Sequence, residues 1–209
     1  MDSAHTAAAL PALSLGLAAF FLGSIPFGLI VGRLFFDSDI RASGSGNIGA
    51  ANALRSYGKG GGVAVLVLDA LKGALAVLLC RLVTQDPSWE AFGAFAAVLG
   101  HCYSPWLRFK GGKGVATWLG ALAVIAWPVA LAFVALWLIV VVPTRWASLG
   151  SLSATVLSAA GLWLRTGDAS LGLWAAAAAA VIVWKHRENI GRLVAGHENK
   201  ISFGKASRA

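Results

Sequence analysis

The chain is short of charge, of cysteine and of acidic residues. Only 12% of its 209 residues are Asp, Glu, Lys or Arg, against roughly a quarter in a soluble domain. That scarcity excludes a soluble globular enzyme, and a disordered chain equally, since disorder is sustained by charge. Its two cysteines, Cys80 and Cys102, end apolar runs and cannot build a secreted disulfide framework. No Cys/His spacing suggests a metal site. Residues 1–10 hold Asp2 and His5 but no Lys or Arg, so the basic n-region of a signal peptide is missing and the first apolar run reads as a retained span. What remains is 58% hydrophobic, with nine Trp and a net charge of +8. Trp favours the membrane–water interface. The composition defines an integral membrane protein.

Apolar runs fall at 7–34, 62–83, 89–106, 114–142, 147–164 and 169–185, and a span needs about 20 residues. The run at 114–142 carries Trp127-Pro128 at its middle. Proline removes a helical donor and restrains the residue before it, so the pattern predicts two short helices, 114–127 and 128–143, with one kinked helix as the alternative. Seven spans put the termini on opposite sides. With the N-terminus outside, fourteen of the seventeen basic residues become cytoplasmic: Arg33, Arg41, Arg55, Lys59, Arg108, Lys110, Lys113, Arg145 and six in the tail, from Lys185 to Arg208. Arg81 and Arg165 stay outside, and Lys72 lies within a span. The positive-inside rule therefore favours an all-α seven-transmembrane-helix bundle, N-terminus outside and C-terminus cytoplasmic, with some short helices. Residues 1–209 read as one domain, and 35–61 as its only sizeable loop.

Three polar clusters fall on the cytoplasmic side of this topology. The first is Ser43-Gly44-Ser45-Gly46-Asn47-Ile48-Gly49-Ala50-Ala51-Asn52, followed by Arg55. So many glycines let backbone N–H groups turn inward into an anion-binding concavity; the plainer alternative is a flexible solvent-facing loop. The second is Gly100-His101, then Phe109-Lys110-Gly111-Gly112-Lys113-Gly114-Val115-Ala116-Thr117, where a helix begins. A helix N-terminus suits phosphate, and Lys113 adds a full charge there. This is no Walker A loop: Gly114 stands where Ser/Thr is required, and Leu107 where the first Gly is. The third runs from Lys185-His186-Arg187-Glu188-Asn189 through Arg192-Leu193 to Gly196-His197-Glu198. His186 and Asn189 share a helical face. His186 is either an acid–base or substrate-contact group, or a hydrogen-bonded structural one.

Two smaller features complete the polar inventory. Asp69 and Lys72 stand three apart within a span; intramembrane charges default to function, but a mutually neutralising structural pair is equally open. Ser148 and Ser151 open a helix beside Arg145, as caps or as anion ligands.

Together, Ser45-Gly46-Asn47-Ile48-Gly49-Ala50-Ala51-Asn52, Gly100-His101 with Phe109–Thr117, and His186–Leu193 with Gly196-His197-Glu198 resemble the three signature motifs of the bacterial acyl-phosphate:glycerol-3-phosphate acyltransferase (PlsY) family. Leu68-Asp69 with Lys72-Gly73, and Ser148–Ser151, are similar to it as well. The resemblance spans almost the whole chain in order. It implies acyl transfer from a fatty acyl-phosphate to the 1-hydroxyl of sn-glycerol 3-phosphate, giving lysophosphatidate and inorganic phosphate in a bacterial inner membrane, with the site facing the cytoplasm. By that resemblance Ser45, Lys113, His186 and Asn189 are the catalytic group. Asn47, Gly49, Asn52, Arg55, Gly111, Gly112, Gly114, Ser151, Arg187 and Glu198 bind substrate or phosphate. No cofactor, metal or nucleic acid is implied; the partners are the two substrates and membrane lipid, and a monomer is favoured.

The residues suit that chemistry. Phosphate is already a good leaving group in an acyl-phosphate, and two phosphorylated substrates call for Arg, Lys, Ser, Asn and backbone donors. A His-x4-Asp pair is absent: the residues five after His5, His101, His186 and His197 are Leu10, Trp106, Gly191 and Ser202. Either a substrate phosphate oxygen takes the hydroxyl proton or His186 does. The first is preferred, on the expectation that Arg55 and Lys113 hold His186 in a donor role. The rival from another class is a transporter of a phosphorylated anion, built from the same basic residues and helix ends. A scaffold with a lipid-attracting basic face leaves the Gly/Ser/Asn loop unexplained.

Overall fold

The computed structural model describes the backbone of residues 3–201 and the side chains of residues 14–201. Asp2, the side chains of His5 and Leu10, Ser202, Lys205 and Arg208 lie outside the described residues. Among those described, the chain is helical with no strand: α1 (Ser3–Ser24), α2 (Phe27–Phe36), α3 (Ala50–Thr84), α4 (Pro87–Cys102), α5 (Val115–Ile125), α6 (Trp127–Thr144), α7 (Ala147–Thr166), α8 (Ala169–Lys185) and α9 (Arg187–Val194).

Proline and glycine set most of the breaks. The apolar run at 7–34 is two helices rather than one, interrupted at Ile25-Pro26. Pro26 has no N–H to continue the ladder, and at this break the Ile25 carbonyl accepts from Lys72 Nζ at 2.8 Å and from the Phe27 N–H at 3.1 Å. The run at 114–142 divides at Ala126 (φ −153°, ψ 80°), where Trp127-Pro128 places it. Pro128 then sits in the first turn of α6, where a missing N–H is harmless. The expected loop 35–61 is much shorter than its composition suggests. From Ala50 onward the chain is helical, because Ala50-Ala51-Asn52-Ala53-Leu54 are mostly good helix formers. The glycines that follow only bend α3, at Gly58 (φ 74°, ψ −168°).

Residues Ser14–Phe36, Ala50–Thr84, Trp127–Thr144 and Ala147–Thr166 are long and apolar enough to cross a membrane, and the bent pair Ala169–Lys185 with Arg187–Val194 makes five. This is a multi-pass membrane protein. α3 packs on α5, α4 on α1 and α8, and α6 on α7. The α3–α5 crossing depends on absent side chains. A Cβ on Gly120 would stand 1.8 Å from the Ala70 carbonyl oxygen, and one on Gly73 2.0 Å from that of Thr117. Small residues of this kind let membrane helices approach closely. The consequence is positional: α3 carries Arg55, and Lys113 stands just before α5.

Asp69 and Lys72 pair at 2.7 Å, both 1% exposed, and His101 Nδ1 lies 3.6 Å from Asp69. At the other end of the bundle Arg81 forks onto Glu90 at 2.8 and 2.6 Å and donates to the Val124 carbonyl at 2.9 Å. That ties α3 and α4 to the last turn of α5.

Candidate active site

The loop before α3 is organised by one side chain. Asn52, 2% exposed, accepts from the Ser45 N–H at 2.8 Å, and its Nδ2 reaches the carbonyls of Ile40, Ser43 and Asn47 at 3.0, 3.0 and 2.8 Å. Gly44 has φ 58°, and a Cβ there would stand 2.2 Å from Asn52 Oδ1, so only glycine lets the loop close around this amide. The Gly49 N–H goes to Asn47 Oδ1 at 2.9 Å and the Gly46 N–H to the Ser43 carbonyl at 3.0 Å. These amides are therefore bonded inside the loop and form no open anion nest. What the loop presents instead is the side chains of Ser45 and Asn47. Arg55, one turn into α3, donates to the Ala51 carbonyl at 3.3 Å, and its buried Nε has no protein partner.

The second cluster divides. Gly112 donates its N–H to the His101 carbonyl at 3.0 Å. A Cβ on Gly111 would meet that same oxygen at 2.1 Å, and one on Gly112 would meet His101 Nε2 at 2.1 Å. Both glycines fold the loop onto α4 and are not among the residues that line the cavity. Gly114 (φ 82°) caps α5, and Lys113 precedes it with its ammonium on Oδ1 of Asn189. Burial pushes Lys113 down to about 8; Arg192 and Arg55 push the same way, while Glu198 and Glu188 oppose them.

The third cluster is held by a carboxylate. α8 ends at Lys185 and α9 leaves it at 59°, with His186 at the corner. The chain after α9 folds back, and the Ile201 N–H donates to the Arg145 carbonyl at 2.9 Å. That return buries Glu198. It accepts from Ser148 Oγ (2.9 Å), Asn189 Nδ2 (2.5 Å) and Arg192 Nε (2.8 Å). Burial alone raises a carboxyl's pKa, but these donors outweigh it and hold Glu198 below the ordinary range. So occupied, Glu198 orients donors rather than meeting a phosphate. His186 Nδ1 lies 2.8 Å from the Ile182 carbonyl, which fixes Nδ1 as the donor and leaves Nε2 as the acceptor of a neutral ring. Burial, aided by the charge of Lys113, pushes this imidazole down to about 4. The expectation that neighbouring cations make His186 a donor at its free nitrogen is thus not met without a bound anion. Arg187 lies apart, stacked over Trp184 at 5.2 Å and facing away from the cavity lining.

One cavity of about 310 Å³ brings the rest together: Ser45, Asn47, Gly49, Asn52, Arg55, Lys113, Gly114, Ser151, His186, Asn189 and Glu198 all line it. Val115 and Ala116 of the first α5 turn line it too, where helix N–H groups lack intrahelical partners. Arg192 and Ser148 join them; in the sequence Arg192 is one of six basic tail residues, and Ser148 a cap or an anion ligand. The remaining wall is mostly apolar, from Leu66, Leu119, Phe133, Val134, Trp137 and Leu138, with Asp69, His101 and Asn199 also in the lining. Trp137 Nε1 donates to Ser151 Oγ at 3.3 Å.

The cavity thus sets cationic and apolar side chains around one space within a helical membrane bundle. Residues 13–196 match the glycerol-3-phosphate acyltransferase family model. The glycerol-3-phosphate acyltransferase of Jannaschia sp. is 47% identical over 199 residues, 94% of this chain and 96% of that protein. Its namesake from Synechococcus sp. is 45% identical over 192 residues, 92% and 94% of the two chains. Crystal structures of PlsY (YgiH), an integral membrane glycerol 3-phosphate acyltransferase, are similar throughout. The glycerol 3-phosphate form has TM-score 0.86 at 39% identity, and the lysophosphatidic acid form 0.85 at 38%; each comparison covers 92% of this chain and 96% of the other. The chain belongs to the glycerol-3-phosphate acyltransferase family.

Proposed function

We propose that this protein transfers a fatty acyl group from acyl-phosphate to the 1-hydroxyl of sn-glycerol 3-phosphate. The observation that carries this reading is the convergence of Arg55, Lys113, Arg192 and the α5 N-terminus in one cavity whose lining is otherwise mostly apolar. Two phosphates and an acyl chain need those two surfaces side by side. Lys113 and Arg55 hold phosphate charge, with the first-turn N–H groups of α5 adding donors. Asn189 is kept in place by Glu198 and in turn steadies Lys113. Ser45 and His186 complete the polar wall around the acyl carbonyl.

The glycerol oxygen attacks the carbonyl carbon and the new ester C–O bond forms. The C–O bond to phosphate breaks, and the hydroxyl proton leaves on the released inorganic phosphate. A phosphate oxygen of the acyl-phosphate takes that proton as the bond breaks, since the departing group becomes inorganic phosphate, a stronger base than the acyl-phosphate it came from, and no protein base is then required. The gain comes from orientation and from charge stabilisation of the carbonyl oxygen. No acyl-enzyme is formed: Ser45 has no titratable base among its hydrogen-bond partners, its N–H being bonded to Asn52.

In this reading residues 1–209 form one monomeric domain with seven apolar helical segments, the α1–α2 pair and α3 to α8. The N-terminus is outside, and the site opens to the cytoplasm from the inner membrane. Purified protein given glycerol 3-phosphate should make lysophosphatidate from palmitoyl-phosphate and none from palmitoyl-CoA. Product from the thioester alone would overturn the donor assignment. Flux of glycerol 3-phosphate across proteoliposomes without any acyl transfer would favour a transporter.

A further inference from the structure

A second cavity, of about 250 Å³, lies between the N-terminal half of α6 and the C-terminal half of α7. Pro128, Val129, Ala132, Leu136, Leu157 and Gly161 give it a mostly apolar lining, with Ser158 and Arg165 as its polar members. Phe133 lines both this cavity and the site, alone among the residues of either wall, and is 3% exposed. Successive α6 residues Leu138, Trp137 and Val134 lead from the polar end of the site to that ring. Along the facing α7 edge Ser151 accepts from Trp137, and Ser158 accepts from Trp118 at 3.0 Å while donating to the Thr155 carbonyl at 2.9 Å; the buried Thr155 Oγ1 has no partner but lines neither cavity. An apolar chain following α6 therefore meets few unbonded polar groups before it reaches Phe133.

We infer that Phe133 is the floor of the acyl-chain channel and sets the longest chain the enzyme accepts efficiently, with the second cavity as the space beyond the ring. The inference rests on the acyl transfer proposed above. Each buried methylene contributes favourably to binding and each excluded one forfeits that gain. Removing the ring joins the two cavities. Gly161 provides the control, since a Cβ there meets nothing within 4 Å and a larger side chain fills only the far cavity.

The test compares kcat/KM for palmitoyl-phosphate and stearoyl-phosphate in detergent-solubilised protein. Phe133→Ala should raise the stearoyl-to-palmitoyl ratio about tenfold, the worth of two newly buried methylenes. Adding Gly161→Leu to that variant should return the ratio to the wild-type value, while Gly161→Leu alone leaves palmitoyl transfer unchanged. Truncating a buried ring costs folding stability, so Phe133→Leu is measured alongside and should raise the ratio about threefold. An unchanged ratio in variants that still transfer palmitate overturns the inference and leaves the acyltransferase standing. No transfer by folded wild-type protein removes both.

Discussion

Asn189 gives its Nδ2 to Oε1 of Glu198 at 2.5 Å and receives the Lys113 ammonium on the other amide atom. A carboxylate acceptor fixes which way the amide faces, and the amide fixes the lysine. Glu198→Gln can donate where the carboxylate only accepts, so the amide of Asn189 loses its reference. Hydrogen bonds to charged groups contribute about 1.5–3 kcal/mol each, and kcat/KM for glycerol 3-phosphate should fall at least tenfold, with Glu198→Ala worse. The pH sign follows from the depressed folded pKa. The stabilisation is full above the ordinary Glu value of about 4.3 and is lost as pH falls through the lower folded value. Thermal midpoints between pH 3 and 6 check this.

Lys113 should dominate the alkaline limb. Its ammonium is held down to about 8 by burial and by Arg192, and only the protonated form pairs with phosphate. kcat/KM, which reports the free enzyme, should fall about tenfold per pH unit above that value. A bound phosphate favours the charged lysine, so the limb in kcat should lie higher. In Lys113→Arg the limb should vanish from the accessible range, since guanidinium does not titrate there, even though geometry lowers the absolute rate.

His186 separates the two proton-transfer schemes. With the substrate as base, His186→Gln keeps kcat within about tenfold and raises KM, because a neutral donor–acceptor is retained. A kcat loss of about 100- to 10,000-fold at unchanged KM is the size expected of a general base and would assign the proton to His186.

The Asp69–Lys72 pair should behave as a structural neutral unit. Lys72→Met strands a carboxylate that is 1% exposed and takes one donor from the Ile25 carbonyl. Breaking a buried pair from one side costs about 3–5 kcal/mol. Asp69→Asn combined with Lys72→Met should recover most of the lost thermal midpoint, since no charge is then left buried.

Much of this arrangement was legible in the residue order. The Trp127-Pro128 break, the Asp69–Lys72 spacing and the three polar clusters are local chemical signals, and the structure sets most of their side chains around one cavity. Other features depended on tertiary partners that no local pattern displays. Residues 50–61 look like a glycine-rich loop, yet a Cβ on Gly62 would stand 2.9 Å from Leu54 Cβ, so the glycines there let the bent helix close on itself. Gly111 and Gly112 carry the composition of a phosphate loop but serve contact with His101. Arg192 resembles every other basic tail residue until Glu198 returns beside it. Ile25-Pro26 was a readable interruption, masked by the long apolar run around it.

The most direct measurement is inorganic phosphate release from purified protein given palmitoyl-phosphate, with and without glycerol 3-phosphate, beside the same assay on Lys113→Ala. The expected result is release that requires glycerol 3-phosphate, matches lysophosphatidate one to one, and drops at least 100-fold in the variant. Release that ignores glycerol 3-phosphate, or persists undiminished without the Lys113 ammonium, would contradict a single phosphate-holding site built from the three clusters.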